Sequence, residues 1–214
     1  MNKRISKVVL LCVLGLVGVT SGISGCSSSG PATSFYSLFP SKTASEKQFA
    51  LPSGSSGSTA LSLGVGPVVL PDFIDKPAIV GLTHTAKVKV YGYHAWAGDL
   101  SETIARVVGE NISNHLQLNS VWAFPWDNRV RPDYQLRIEF ENLSGVRGEN
   151  VDLLLKWTLL NKKADTVLVS GKERLSQATS GNNVDAYVTT MNGLVNAASS
   201  LMAEKIAAYL HAQP

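Results

Sequence analysis

The side chain with the clearest chemical role in this sequence is the thiol of Cys26. Ile23, Ser24 and Gly25 precede it, and the four residues resemble the pattern that the lipoprotein signal peptidase reads. In such a site small residues let the chain enter the protease, and the thiol accepts a diacylglyceryl group. We therefore predict cleavage before Cys26 and lipid attachment at Cys26, because no other residue there could take the lipid.

The segment before this cysteine has the features of a secretory signal. Lys3, Arg4 and Lys7 precede an apolar run over residues 8–19, an arrangement typical of exported proteins. The run has twelve residues, whereas a helix that spans a bilayer takes about twenty. We interpret residues 1–25 as a cleaved signal peptide. The alternatives are a permanent transmembrane anchor and an ordinary signal peptide that a cysteine follows by chance.

The residues after the cleavage site predict where the protein is held. Position 27 is Ser and not Asp, which favours the outer membrane by similarity to the sorted lipoproteins of double-membrane bacteria. Each buried CH2 contributes roughly 0.8 kcal/mol, so two or three acyl chains hold firmly. Residues 26–33 then form a lipidated tether, of which the seven residues after the cysteine reach about 25 Å when extended. We expect a domain that faces the periplasm close to the membrane.

Charge and cysteine content change when the signal is removed. The chain has 19 Lys and Arg against 16 Asp and Glu, and three of the cations lie in the signal, so 16 of each sign remain. A neutral domain gives no support to nucleic-acid binding or to a polybasic membrane patch. Cys12 lies in the discarded run and Cys26 is consumed by lipid, so we expect no disulfide.

The rest of the chain lacks the motifs of known catalytic and metal sites. It has no Gly-x-Ser-x-Gly elbow, no His-Glu-x-x-His helix and no Gly-x-x-x-x-Gly-Lys loop. Gly64-x-Gly66 has Val69 where a dinucleotide fold needs its third glycine. No two histidines are spaced as ligands on one helical turn; they are His84, His94, His115 and His211. We expect no enzymatic activity, no cofactor and no metal.

Hydrophobic periodicity predicts the elements of the domain. Apolar residues alternate with others over residues 134–141 and 151–159, as in half-buried strands, and residues 145–148 between them predict a hairpin turn. Further strand candidates are residues 61–70, 86–91 and 167–175. We expect these strands to form a mixed, mostly antiparallel sheet.

Two segments have apolar residues at helical spacing. The first covers residues 100–116, with Asp99 and Glu102 placed like the two ends of a capping box. The second begins at about residue 183, and its small residues between 193 and 200 would allow close approach to another element. We expect both helices to cover one side of the sheet. A partner-binding or membrane-surface role for the second is the alternative.

Together these elements predict the fold class. Residues 34–214 are long enough for one domain with its own core. Residues 41–60 contain the run SGSSGS at 53–58, a composition typical of a flexible coil, so we interpret them as a flexible Ser/Gly loop within that domain. The prediction is a single α+β domain in which two long helices cover the sheet.

Residues 64–80 (GVGPVVLPDFIDKPAIV) form a proline-rich segment. Each of its prolines, Pro67, Pro71 and Pro77, removes a backbone donor, which is incompatible with a central strand. We expect an edge strand, a rigid apolar turn and a second short strand. The segment is either a packed crossover, which physical chemistry alone favours, or a preformed protein-binding edge.

This segment and four others resemble the PqiC/YmbA-like lipoproteins, also called ABC-type transport auxiliary lipoproteins. Members carry a tyrosine in a first strand, G-V-G-P-V-x-L-P-x-Y-L-D-R-P-x-I-V, H-R-W-A-E-x-L at the start of the first helix, E-N-L within it, and P-W before the next strand. The matching segments are residues 34–38 (SFYSL), 64–80, 94–100 (HAWAGDL), 110–112 (ENI) and 125–126 (PW). The resemblance covers essentially the whole mature chain.

The sequence departs from the family pattern at two arginines. Lys76 and Ala95 stand at those positions. Arginine forms a rigid bidentate fork that alanine cannot replace and lysine only approximates. Contacts that the family makes through these arginines are therefore not carried over to this chain.

The resemblance implies a non-enzymatic part in moving lipids between two membranes. In such systems MCE-domain proteins of an inner-membrane transport complex form a tube across the periplasm. The small lipoprotein receives that tube at the outer membrane as a homo-oligomeric ring. The candidate partner contacts are Pro71, Asp72, Phe73 and Trp96. The alternatives are a lipid or hydrophobic-ligand binding lipoprotein that works alone, and an envelope hydrolase without a recognisable motif.

Overall fold

A computed structural model describes residues 30–43, 48–51, 61–85, 87–127 and 129–213. The predicted signal peptide, Cys26 and most of the predicted Ser/Gly loop lie outside the described residues. The described elements all belong to one unit, residues 33–214. They are β1 (Ser34–Tyr36), β2 (Ser62–Val69), β3 (Ala78–Leu82), β4 (Val88–Trp96), α1 (Leu100–Leu116), β5 (Ser120–Ala123), β6 (Tyr134–Gly145), β7 (Asn150–Asn161), β8 (Val167–Ala178) and α2 (Val184–His211).

These strands form two mixed sheets. One has the order β1-β4-β3, with β4 parallel to β1 and antiparallel to β3. The other has the order β5-β2-β6-β7-β8, with β2 parallel to both of its neighbours and antiparallel pairing from β6 to β8. The α+β prediction is confirmed, although the strands are divided between two sheets. The division follows from the proline-rich turn at residues 71–77, after which β3 pairs with β4 and not with β2.

The β6–β7 hairpin forms as its alternating pattern predicts. The apolar residues of β6 that face the helices are Leu136, Ile138 and Phe140, each at most 3% exposed. The two strands pair from Tyr134–Asn161 to Gly145–Val151. Gly148 in the turn has φ +89°, a left-handed conformation that favours glycine. Its position explains why the strand pattern breaks there.

Both helices begin with a side-chain cap, and the sequence predicted the first of them, Asp99. Asp99 accepts a hydrogen bond from the Glu102 backbone N–H over 2.9 Å, and Asn183 accepts one from the Ala186 N–H over 2.7 Å. These bonds satisfy donors that the first turn of a helix leaves without partners. Within the described residues, neither helix is long and apolar enough to cross a bilayer.

The helices pack side by side on the five-stranded sheet. α1 contacts β2 and β5, α2 contacts β7 and β8, and the two helices contact each other. At their crossing the Asn111 amide, which is fully buried, donates to the Asn196 side-chain oxygen over 2.8 Å and to the Ser199 hydroxyl over 3.3 Å. The small residues of α2 therefore allow the close approach that the sequence predicts, and its apolar stripe serves the core.

A buried carboxylate joins β8 to α2. Glu173 is only 6% exposed, and its Oε1 accepts hydrogen bonds from the Trp157 indole over 2.9 Å and from the Lys205 ammonium over 2.5 Å. Two donors on one oxygen compensate the cost of removing this charge from water. The contact fixes the C-terminal half of α2 against the end of the sheet.

The prediction that Pro67 makes β2 an edge strand is wrong. β2 pairs with β5 through residues 62–65 and with β6 on its other side. Pro67 lies beyond the last β5 pair, where the β6 ladder is irregular between Val65 and Val68. Its missing N–H therefore removes no ladder bond. At Gly66, with φ +122°, a Cβ would lie 2.5 Å from the Cβ of Phe124, so glycine is required there.

β4 changes the face that it buries. The predicted strand forms, but Val88 and Val90 are 46% and 58% exposed, whereas Tyr91 and Trp96 are each 6% exposed. β3 pairs with β4 at Val80–Val90 and next at Ala78–Ala95, so the register shifts between these pairs. This irregularity turns the strand and allows residues five positions apart to face the same interior.

The side chain of Tyr187 on α2 connects the two sheets. It is fully buried, its hydroxyl accepts a hydrogen bond from the Gly145 N–H of β6 over 3.1 Å, and it donates to the Val80 carbonyl of β3 over 3.2 Å. Its ring packs edge-on against Tyr91 at 6.3 Å between centroids. Burial raises the pKa of Tyr187 to about 12, since the interior disfavours the phenolate.

Replacement of Tyr187 by Phe should lower the free energy of unfolding by about 1–3 kcal/mol, because it leaves two buried backbone groups without a partner. Chemical denaturation measures this loss. Tyr93→Phe is the control, because Tyr93 is 53% exposed and its change should stay within about 0.5 kcal/mol. Equal losses in both variants would contradict the role of the Tyr187 hydroxyl.

The difference in the free energy of unfolding between the native protein and Tyr187→Phe should also depend on pH. The folded-state pKa of about 12 lies above the ordinary value of 10.0, so the neutral phenol's contribution is fully present below pH 10. It is lost as pH rises towards 12, because the unfolded chain ionises first. Denaturation at pH 8 and at pH 11 should show a smaller difference at pH 11.

Candidate partner-binding surface

The turn at residues 71–77 is held by its own backbone. The Pro71 carbonyl accepts hydrogen bonds from the N–H groups of Ile74 and Asp75 over 2.9 and 3.0 Å. Ile74 is 2% exposed and anchors the turn in the core, while Asp72 is exposed and Phe73 is half-buried. The prolines restrict φ on both sides. The turn is therefore rigid and presents its tip to solvent.

Trp96 lies beside this turn, at the end of β4. Its backbone N–H donates to the Pro77 carbonyl over 2.8 Å, and it pairs with Tyr36 of β1. Its side chain is only 6% exposed, so the indole supports the surface from beneath. The alternating pattern did not reveal this burial, because it depends on the register shift in β4.

The turn and the start of α1 enclose an open cleft of about 350 Å³, which we name the turn cleft. It is lined by Asp75, Lys76, Pro77, Trp96, Ala97, Gly98, Asp99 and Leu100. The structure thus brings together the two predicted segments, although Pro71, Asp72 and Phe73 lie on the adjacent tip. Whether these residues contact a partner stays a prediction.

The charged residues that line the turn cleft differ in their exposure and in their contacts. Hydrogen bonds from the Glu102 backbone and then from the Ser101 hydroxyl lower the pKa of Asp99, so this carboxylate caps α1. Asp75 and Lys76 are exposed. Lys76, which stands at a family arginine position, lines the cleft, whereas Ala95 is half-buried in β4. A cation is retained at one of the two positions.

A second concave surface, the β1–α2 groove, has a volume of about 360 Å³. It is lined by Phe35, Tyr36, Ser37, Phe39, Asp185, Val188, Thr189 and Asn192. Phe35 and Phe39 are 69% and 65% exposed, more than any other large apolar residue that the structure describes. Sequence reasoning missed this groove, because an apolar first strand predicts burial and the partner helix lies far away in the chain.

Polar side chains hold β1 and the segment after it. The Tyr36 hydroxyl donates to the Asp185 carboxylate over 2.8 Å and lies 2.7 Å from His94 Nδ1. The Phe39 N–H donates to the Asn192 side chain, and the Ser41 N–H donates to the Asn111 side chain, each over 2.8 Å. These contacts connect the first strand to both helices.

The Tyr36, His94 and Asp185 side chains have the residue types of a proton relay, but their arrangement is a positioning contact. Desolvation, followed by the hydrogen bond to Asp185, raises the pKa of Tyr36. A phenol with a raised pKa is a weak nucleophile at neutral pH. Among the described residues no group of three or more His, Cys, Asp or Glu side chains could hold a metal ion.

The family model for the ABC-type transport auxiliary lipoprotein component matches residues 45–203. The chain belongs to this family. The resemblance drawn from the motifs is therefore confirmed, and the two segments that meet at the turn cleft lie within the matched region. This is a family of transport auxiliary lipoproteins and not an enzyme family. No curated protein matches the sequence.

Two solved structures share the fold of this chain. A crystal structure from Xanthomonas campestris has a TM-score of 0.64 at 15% identity, over 83% of this chain and 96% of that one. An uncharacterized protein has a TM-score of 0.64 at 17% identity, over 82% and 99%. The PelC dodecamer from Paraburkholderia phytofirmans has a TM-score of 0.40 at 12% identity, over 85% and 96%, and supports no inference.

Ile74→Ala should lower the free energy of unfolding of this auxiliary lipoprotein by about 2–5 kcal/mol, because it removes a buried anchor. Asp72→Ala, at the exposed tip of the same turn, should change it by less than about 0.5 kcal/mol. Thermal and chemical denaturation of both variants measure the difference. A large loss in Asp72→Ala would show that the tip is part of the folded framework and not a free surface.

Proposed function

We propose that this auxiliary lipoprotein is a non-enzymatic docking component of an MCE-type intermembrane lipid transport system, held at the outer membrane. Family membership supports the coarser role, an auxiliary component of ABC-type transport. The observation that supports docking is the turn cleft. There the family segments 64–80 and 94–100, which are separate in sequence, form one surface.

The turn is suited to protein binding because it is already ordered. Its backbone hydrogen bonds, its prolines and the buried Ile74 fix its conformation, so binding costs little additional conformational entropy. Its tip carries the exposed Asp72 beside the half-buried Phe73. A contact surface with an apolar centre and a polar rim is typical of protein interfaces.

The partner in this proposal is an MCE-domain protein of an inner-membrane transport complex. The lipoprotein is anchored through lipid at Cys26, faces the periplasm, and receives the tube formed by that partner. Several copies form a homo-oligomeric ring, since a closed ring is the symmetric arrangement that can surround a tube. The relay-like Tyr36 contact has a positioning role here, in keeping with a function that needs no catalysis.

The alternative is a lipoprotein that binds a lipid or hydrophobic ligand by itself. Such a protein needs an enclosed apolar cavity. The apolar pocket between β2 and the helices, lined by Leu63, Leu116, Leu159 and Ile206 among others, has a volume of about 10 Å³. A cavity of about 10–15 Å³ on this measure holds one water. This pocket is too small for an acyl chain, so it gives the alternative no support.

In-cell photo-crosslinking tests the docking surface. A photoreactive amino acid at Asp72 or Phe73 should capture an MCE-domain protein, which mass spectrometry of the crosslinked band identifies. Trp96 is a poor position for the probe, because its side chain is buried at 6% exposure. The control position is Val167 of β8, which is 59% exposed. Capture of the same proteins from Val167, or none from the turn, would contradict the proposal.

Replacement of Cys26 tests the role of the anchor. Cys26→Ala, exported behind a signal that the general signal peptidase cleaves, should fold like the lipidated protein and fail to support transport in cells. The reason is that the domain is no longer held where its partner arrives. Thermal unfolding checks the fold, and complementation of a deletion strain checks activity. Full complementation by the soluble form would contradict anchored docking.

A further inference from the structure

The β1–α2 groove is a surface that the docking function does not use. Phe35 and Phe39, 69% and 65% exposed, stand at this groove. Side chains of this size are expected to be buried, and a pair of them at one groove indicates a surface that becomes covered. Val188 of α2 adds a further apolar side chain to the lining.

The groove has little charge. Asp185 is the one charged residue among its lining residues, and its carboxylate accepts a hydrogen bond from Tyr36. The other polar lining residues, Ser37, Thr189 and Asn192, are neutral. A groove with two exposed Phe side chains and no cation among its lining residues fits the boundary between headgroups and acyl chains, where surface-bound proteins bury Phe side chains. It does not fit a site that depends on anionic lipids.

The distance along the chain to the predicted lipid favours the same occupant. Nine residue steps separate Cys26 from Phe35, and residues 27–33 (SSSGPAT) carry no charge. Such a segment spans about 30 Å when extended and about 15–18 Å on average as a flexible coil. The headgroup region of one leaflet is about 5–8 Å thick. A lipid at Cys26 therefore keeps this groove within reach of the bilayer surface.

We infer that the β1–α2 groove lies on the bilayer, with Phe35 and Phe39 inserted at the boundary between headgroups and acyl chains. This inference rests on the proposed lipidation of Cys26 and not on the identity of the protein partner. Insertion sets the orientation of the domain as well as its distance from the membrane. The polar contacts of Tyr36 and Asn192 keep both aromatic residues in place for it.

Depth-dependent fluorescence quenching tests the inference on the mature lipidated protein in phosphatidylcholine vesicles. Cys12 leaves with the signal and the Cys26 sulfur is alkylated, so Phe39→Cys provides a single thiol for an environment-sensitive dye. Lipids with a nitroxide near the headgroup should quench this dye several-fold more than the same dye at Val167→Cys, where the native residue is 59% exposed. Quenching should be equal at low and high salt, because the groove has no cation.

A second pair of variants controls for membrane insertion that is caused by the dye itself. Phe35→Ser should reduce quenching of the dye at position 39, whereas Val90→Ser should not, although Val90 is 58% exposed. Equal quenching at positions 39 and 167 would overturn the inference. Quenching in detergent, without a bilayer, by one equivalent of nitroxide lipid would also overturn it, because it would indicate that the groove binds a single lipid molecule.

Failure of this inference can be distinguished from failure of the proposed function. If the dye at position 39 stays unquenched while a photoreactive probe there captures a protein in cells, the groove is a protein-binding surface. Docking through the turn cleft would then stand and membrane insertion would not. If the dye is quenched while the turn captures no MCE-domain protein, insertion would stand and docking would not.

Discussion

One buried hydroxyl joins the backbones of the two sheets. Tyr187 accepts from Gly145 in one sheet and donates to Val80 in the other, close to the isolated bridge between Leu82 and Val146, so it satisfies two backbone groups where the sheets share no continuous ladder. A buried polar group in such a place must have both partners, since the interior offers no water to replace them. The contact fixes β3, which follows the turn at residues 71–77, against the larger sheet.

The first half of α2 connects that junction to both candidate surfaces. Asp185 holds Tyr36 of β1, and Asn192 holds the backbone of Phe39. Lys205 of the same helix donates a hydrogen bond to Glu173 of β8, the edge strand of the larger sheet. A single rigid element thus positions the groove directly and the turn cleft through β3.

Local patterns predicted much of the fold and little of the site. The hairpin over residues 134–159 and the Asp99 cap follow from short-range periodicity and side-chain chemistry, so the sequence was sufficient for them. The pairing of β2 on both sides, the burial of Trp96 and the exposure of Val90 depend on register between distant strands. The groove is formed by residues 35–39 and 185–192. These segments are far apart in the chain, so no local sequence pattern predicts their contact. The family motifs located the turn cleft because both of its segments lie within them.

The direction of β1 has a mechanical consequence. It runs parallel to β4, and the chain reaches it from the side of the predicted lipid. A pull along the strand loads its backbone hydrogen bonds in shear, so that they share the force and do not open one after another. The side-chain bonds at Tyr36, Phe39 and Ser41 add further resistance behind them. A pull on the chain before β1 would therefore load the strand together with its side-chain bonds to both helices.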